Sequence, residues 1–182
     1  MKAIPVALPG IMLIESPVFR DSRGSFTEMW NRRQLGELGI DADFVQDNLS
    51  ISGFLTLRGL HYQVLNAQGK LVRVVRGEIF DVIVDLRRSS PVFGRSFTIR
   101  LSGDGGPALW IPAGFAHGFL ALTDDTIVQY KVTDYWAPQV ERTLLWNDPA
   151  LGIQWPLPTG TSPTLSQKDA AGALLADAET YS

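Results

Sequence analysis

The chain has 182 residues, 45% of them hydrophobic, and a formal charge of -3 from 16 Lys and Arg against 19 Asp and Glu. That is the size and composition of one folded domain, and it lacks the basic excess that general nucleic-acid binding requires. The absence of cysteine excludes disulfide scaffolds, thiolate zinc sites and cysteine nucleophiles.

The N-terminal MKAIPVALPGIMLIESP is interrupted by Pro5, Pro9 and Gly10, so it reads as the start of the mature fold and not as a signal peptide. No apolar run approaches the ~20 residues that cross a bilayer. No membrane partner is therefore expected, and the expected location is the cytoplasm. RRQLGELG, from Arg32 to Gly39, has the pattern of a two-turn helix. LVRVV and IFDVIVDL, joined through Arg76, Gly77 and Glu78, predict a hairpin, because Gly supplies the positive φ that tight turns need. In the second of these strands Phe80, Val82, Val84 and Leu86 share one face. Ile79, Asp81, Ile83 and Asp85 share the other, a mixed surface suited to a cavity or a partner. FTIRL places Phe97, Ile99 and Leu101 opposite Thr98 and Arg100, GDGGP is a turn, and TIVQYKVTDYW predicts another strand from Thr126 to Trp136. After the loose TGTSPT, SQKDAAGALLADA predicts a helix with Ser166 as N-cap and Asp169 three residues on. Many short strands at this spacing mean an antiparallel sandwich or barrel. The whole of 1–182 forms a single domain on this reading, with a helical tail from about residue 165.

Only two histidines are present, His61 in LRGLHYQ and His117 in IPAGFAHGF. A metal site would need both, plus a carboxylate, with no local spacing to support it. A lone His also suits general-base work at neutral pH, provided a carboxylate orients it and a separate acid stands on the other side of the substrate. The candidate carboxylates are Asp47, Asp81, Asp85, Asp148 and Asp169, and the candidate acids Tyr62, Tyr130 and Tyr135. Spacing does not choose among them. Each has a plainer reading: His61 as a half-buried strand residue, His117 as a packed imidazole, Asp169 as a helix cap, Tyr130 as a core aromatic. Arg23, Arg58, Lys70, Arg73, Arg76 and Lys168 lie near these segments and would suit a polyanionic ligand such as a nucleotide diphosphate. No glycine-rich phosphate loop accompanies them.

Taken together, FRDSRGSFTEMW, FVQDNLSIS, LRGLHYQ, AQGKLVRVVRGEIFDVIVDLR, SSPVFG, LWIPAGFAHGF, YKVTDYW, WNDPALGIQWP and LSQKD resemble the dTDP-4-dehydrorhamnose 3,5-epimerase family. The resemblance runs in order from about Pro17 to Asp169. It implies an all-β fold, a cupin-type jelly-roll sandwich with a few short peripheral helices. It also implies a homodimer that needs neither metal nor cofactor and that acts on a dTDP-4-keto-6-deoxyhexose. Carried over by motif, His61 is the family's base, Tyr130 its acid, Asp169 the carboxylate paired with the base, and Lys70 the cation near the keto oxygen. Substrate contacts fall on Arg23, Glu28, Gln46, Asp47, Asn48, Arg58, His117, Glu141 and Lys168, with Arg23 and Glu28 serving the neighbouring subunit's site. The implied reaction inverts carbon 3 and carbon 5 of the sugar. The alternatives weighed are a mono-epimerase on a related sugar, a non-catalytic jelly-roll sugar binder and a metal-dependent cupin enzyme.

Two local departures stand out. Leu49 and Trp136 replace residues more usual in the family, and Trp136 offers a larger stacking face. Strict alternation would also put Arg58 and His61 on opposite faces of one strand, so a bulge is expected at Gly59.

Overall fold

Segments with period-two alternation become strands, and the chain crosses between two layers of them. The computed structural model describes residues 1–182. In chain order the strands are β1 (Lys2–Pro5), β2 (Met12–Glu15), β3 (Val18–Asp21), β4 (Gly24–Thr27), β5 (Gln46–Ser52), β6 (Leu57–Gln63) and β7 (Lys70–Arg76). They continue with β8 (Glu78–Asp85), β9 (Ser96–Ser102), β10 (Ala108–Ile111), β11 (Phe115–Ala121), β12 (Thr126–Val132) and β13 (Glu141–Thr143). Helices are α1 (Arg32–Glu37) and α2 (Gln167–Ala170), with one 3-10 turn at Pro149–Leu151. No helix is long and apolar enough to cross a membrane.

One sheet has six strands in the order β1-β2-β10-β7-β12-β5, and the other has five in the order β13-β6-β11-β8-β9. Every pairing between these strands is antiparallel. From β5 to β13 every connection except β8 to β9 switches sheets, which is the jelly-roll sandwich the resemblance implied. A separate two-stranded hairpin, β3-β4, projects with Phe19 paired to Phe26, both exposed.

Alternation decides what each sheet buries. Val72, Val74 and Val128 of the six-stranded sheet pack against Ile79, Ile83, Leu101, Phe115 and Phe119 of the five-stranded one, forming the sandwich interior. The back of the five-stranded sheet is buried too: Leu60, Tyr62, Val82, Val84 and Ala116 lie under Leu144, Leu151 and Ala178. On the back of the six-stranded sheet, Ile14, Leu71 and Trp110 are covered by Leu35 of α1 and by Ile40. Each fully buried Ile or Leu contributes on the order of 1.5–3 kcal/mol. These clusters therefore hold the two layers in register around any cavity between them.

Two expectations are corrected. β7 and β8 do not form a hairpin, because they lie in different sheets. β7 is flanked on both edges by β10 and β12, and β8 by β11 and β9, so neither has a free edge for the other. Gly77 keeps its positive φ of 82°, but it turns the chain from one layer to the other. The second correction concerns the tail, where the helix is a single turn. Ser166 caps it as expected, its side chain accepting the Asp169 N–H at 3.1 Å. Beyond Ala171 the backbone turns to pair with the chain leaving β13: Leu145 N–H donates to the Ala173 carbonyl at 2.8 Å and Ala173 N–H to the Thr143 carbonyl at 2.9 Å. Gly172 permits this approach, since a Cβ there would stand 2.6 Å from the Leu145 nitrogen.

Candidate active site

Between the sheets lies a cavity of about 360 Å³. The five-stranded sheet contributes Arg58 and His61 from β6, His117 from β11 and Glu141 from β13. The facing sheet contributes Gln46, Asn48 and Ser50 from β5, Lys70 from β7 and Tyr130 from β12. Gln68 and Trp136 come from loops, and Ser166, Lys168 and Asp169 from the α2 turn.

Arg58 and His61 reach the same cavity because β6 carries one extra residue. His61 lies opposite His117 and Arg58 opposite Phe119, so three steps along β6 match two along β11. This is the expected bulge, and it resets the side-chain alternation. Gly59 sits there at φ +121°, and a Cβ on it would lie 2.6 Å from the Gly118 Cα. Gly118 is equally constrained, with its own Cβ position 2.5 Å from the Arg58 carbonyl oxygen. The two glycines let the strands close up where the register shifts. Arg58 is then held by Ser52 Oγ at 3.0 Å and the Ile51 carbonyl at 3.3 Å.

His61 Nε2 is 2.5 Å from Asp169 Oδ1, across 108 positions of sequence. Burial alone would raise the Asp169 carboxyl's pKa, but the hydrogen bond and charge of His61, the Ser166 bond and the Lys168 charge outweigh it. The carboxyl is held below its ordinary range and stays anionic at neutral pH. His117 makes a second such pair, its Nε2 2.7 Å from Asp81 Oδ1 on β8. Asp81 is fully buried, and burial raises its carboxyl's pKa against the opposing pull of His117. The two histidines thus each take a carboxylate of their own and do not converge on one centre.

Lys70 is buried and donates to Gln68 Oε1 at 3.0 Å. Burial pulls its pKa down to about 8, the charge of Glu141 opposing. The Tyr130 hydroxyl is pushed up, first by burial and also by Glu141, with Arg58 pulling the other way. Its ring packs on the sandwich interior, so the core-aromatic reading holds alongside the cavity position. Lys168 and Glu141 pair at 2.8 Å. Gln46 donates to Asn48 Oδ1 at 2.8 Å and accepts the Trp136 backbone N–H at 3.0 Å.

Three expected contacts lie elsewhere in this chain. Arg23 is exposed on the β3-β4 hairpin, paired with Asp21 at 2.6 Å. Glu28 accepts from Asn31 and Gln34 at the start of α1. Asp47 points away from the cavity and pairs with Lys131 at 2.8 Å, because β5 alternates and Gln46 and Asn48 occupy its inner face. Among the other carboxylates, Asp85 binds Arg87 at 2.6 Å and Asp148 caps the 3-10 turn. Ser50 and Gln68 were not singled out from sequence. The polar run Gln46, Asn48, Ser50, Ser52 at every second position of β5 carried the signal for Ser50.

The family model described as dTDP-4-dehydrorhamnose 3,5-epimerase matches residues 5–177. The chain is 52% identical over 182 residues to dTDP-4-dehydrorhamnose 3,5-epimerase of Pseudomonas aeruginosa, covering 100% of this chain and 99% of that protein. It is also similar to the crystal structure of a dTDP-6-deoxy-D-glucose-3,5-epimerase from Legionella pneumophila in complex with dTDP-4-keto-L-rhamnose. That likeness has a TM-score of 0.94 at 44% identity, covering 98% of this chain and 94% of that one. A 3'-monoepimerase from Streptomyces bikiniensis in complex with dTDP-quinovose is similar at TM-score 0.87 and 32% identity, covering 94% of this chain and 87% of that one.

Proposed function

The chain belongs to the dTDP-4-dehydrorhamnose 3,5-epimerase family, and on that premise we propose that His61 is the base and Tyr130 the acid of its reaction. The enzyme inverts carbon 3 and carbon 5 of dTDP-4-dehydro-6-deoxy-D-glucose to give dTDP-4-dehydro-L-rhamnose. The observation that carries the assignment is the His61–Asp169 pair on one wall of the cavity and Tyr130 on the opposing sheet.

The chemistry follows from the ketone at carbon 4, which acidifies the hydrogens on both neighbours. Anionic Asp169 accepts the Nε2–H of His61, leaving the other ring nitrogen with a lone pair aimed at substrate. That nitrogen takes the proton from carbon, and the electron pair moves onto the keto oxygen as an enolate. The Lys70 ammonium, in a water-poor wall, stabilises that oxygen far better than it would in bulk water. The Tyr130 phenol keeps its proton until the enolate carbon takes it from the opposite face, which inverts the centre. Proton exchange with solvent returns His61 to the free base and Tyr130 to the phenol, and the same cycle at the second carbon completes the product. The substrate's own ketone is the electron sink, so the sequence of steps calls on no cofactor.

Arg58 and Lys168 supply cationic contacts for the diphosphate, and Gln46, Asn48, His117 and Glu141 supply polar contacts along the ligand. Trp136, exposed at the cavity rim, offers an indole face to the nucleotide base. We further propose a cytoplasmic homodimer. Phe19 and Phe26 on the projecting hairpin are exposed, as are Leu49 and Ile51 on the outer face of β5, and these apolar side chains suit contact with a second copy. In such a dimer Arg23 and Glu28 would complete the neighbour's cavity.

Incubation with the 4-keto nucleotide sugar in heavy water, followed by NMR of the product, tests the reading. Deuterium at both carbon 3 and carbon 5 is the expected result. Label at one carbon alone would make the enzyme a mono-epimerase, and no label at all would make the cavity a binding site only.

A further inference from the structure

The pair His117–Asp81 resembles His61–Asp169 in composition but not in surroundings. Asp81 has no exposed surface, and no protein group hydrogen-bonds its Oδ2. Its one side-chain partner is His117. The charged side chains on the cavity wall have partners of their own: Arg58 with Ser52, His61 with Asp169, Lys70 with Gln68, and Glu141 with Lys168. Nothing else offsets a charge on Asp81.

A carboxylate that is fully buried and half-satisfied is strongly disfavoured as a net negative charge. The pair is therefore most stable with no net charge. That requires two protons distributed over the carboxyl and the two ring nitrogens. One lies between Asp81 Oδ1 and His117 Nε2; Asp81 Oδ2 has no protein acceptor to receive a hydrogen bond from the other, so that proton belongs on Nδ1, where a ligand can accept it. His117 lines the cavity, and with Nε2 turned to Asp81, Nδ1 is the nitrogen left for a ligand. The proton inventory is the reverse of that at His61, where an anionic Asp169 leaves Nδ1 bare.

We propose that Asp81 is a positioning residue that makes His117 a fixed hydrogen-bond donor, its Nδ1–H directed at the substrate oxygen on which charge gathers. The inference rests on the keto sugar occupying this cavity. During the reaction the carbon–hydrogen bond breaks toward His61 and its electron pair passes to the keto oxygen. His117 donates a hydrogen bond to that oxygen, beside Lys70, and keeps its proton throughout. His117 is thus neither a second base nor a passive contact, and Asp81 sets which of these it can be.

Two substitutions at one position separate the possibilities. Asp81→Asn places an amide N–H against Nε2 and preserves Nδ1–H, so kcat is expected to stay within about threefold of wild type. Asp81→Leu is apolar and branched at the same carbon; it frees the tautomer, and kcat is expected to fall about ten- to hundredfold with KM within about twofold. A collapse of kcat in Asp81→Asn approaching ~10⁴-fold would show that His117 needs an anionic partner, as a base does, and would overturn the proposal. Wild-type kcat in Asp81→Leu would overturn it as well. Nitrogen-15 NMR on the unmodified protein reads the same point without substitution. His117 Nδ1 is expected to carry a proton in the protein at neutral pH, and a bare Nδ1 there refutes the assignment. His61→Ala with normal turnover would instead strike at the placement of the base, leaving the His117 spectrum as a separate measurement.

Discussion

The cavity holds two His–Asp pairs that are neighbours across one strand pairing, with His61 directly opposite His117. What differs is where each carboxylate comes from. Asp169 rides on a one-turn helix at the rim, with the Ser166 bond and the Lys168 charge to share its negative charge. Asp81 is on a central strand inside the sandwich, with His117 as its sole side-chain partner. The same two side-chain types therefore shift in opposite directions, one carboxyl's pKa depressed and the other's raised. Surroundings, not residue identity, decide whether an imidazole receives a proton or presents one.

The largest expected effect comes from the first pair. His61→Ala should lower turnover by about 10⁴-fold or more while the far-UV spectrum and thermal unfolding stay close to wild type, since the side chain lies on the cavity wall. Near-normal turnover would remove His61 from the role of base. Asp169→Asn should approach that loss, about 10⁴-fold, because an amide N–H facing Nε2 inverts the His61 tautomer and caps the reactive nitrogen. The comparison is sharpest here, since the same Asp-to-Asn change at position 81 is expected to be nearly silent. Equal losses at the two positions would erase the distinction.

Tyr130→Phe comes next, with about 10²–10³-fold less epimerised product. Wash-out of substrate hydrogen into heavy water should be impaired less, because proton removal occurs on the other wall. Equal loss of both would place Tyr130 outside reprotonation. For Lys70→Met the expected loss of rate is about 10²-fold, and it comes with a gain in stability. The wild-type Lys70 titrates at about 8 in the fold against 10.5 as a free side chain. Between those values the unfolded chain binds more protons, so this residue makes the protein more stable as pH rises across that window. Below pH 8 the cost of burying the ammonium is fully felt. The methionine variant should melt above wild type at pH 6.5, with the gap shrinking by pH 9.5. A gap that does not change with pH would mean that Lys70 is not a buried cation.

How much of this was legible without coordinates depends on how local each signal is. The bulge at Gly59 was legible once the family resemblance required both Arg58 and His61 to face the ligand, since strict alternation would part them. The two-turn helix at Arg32 and the capping role of Ser166 were legible from side chains that bond within a few residues. The β7-β8 hairpin was misread, since turn chemistry at Gly77 is the same whether the next strand pairs back or crosses to the facing sheet. The tail was misread for a related reason: Gly172 and Ala173 are helix-compatible until the Leu144–Leu145 backbone offers them an extended partner. Nothing in local spacing joins His61 to Asp169, and that link rested on the family resemblance. Asp81 was visible as one of two aspartates alternating with Ile79 and Ile83 on a mixed strand face, but its partner on β11 was not.

All thirteen strands end by Thr143, whereas Asp169 arrives on the segment that folds back afterwards. During synthesis, then, both layers of the sandwich and the interior His117–Asp81 pair can assemble before the base has its carboxylate. On the proposed assignment, docking of that turn is what would make a vessel for nucleotide sugars able to strip hydrogen from carbon.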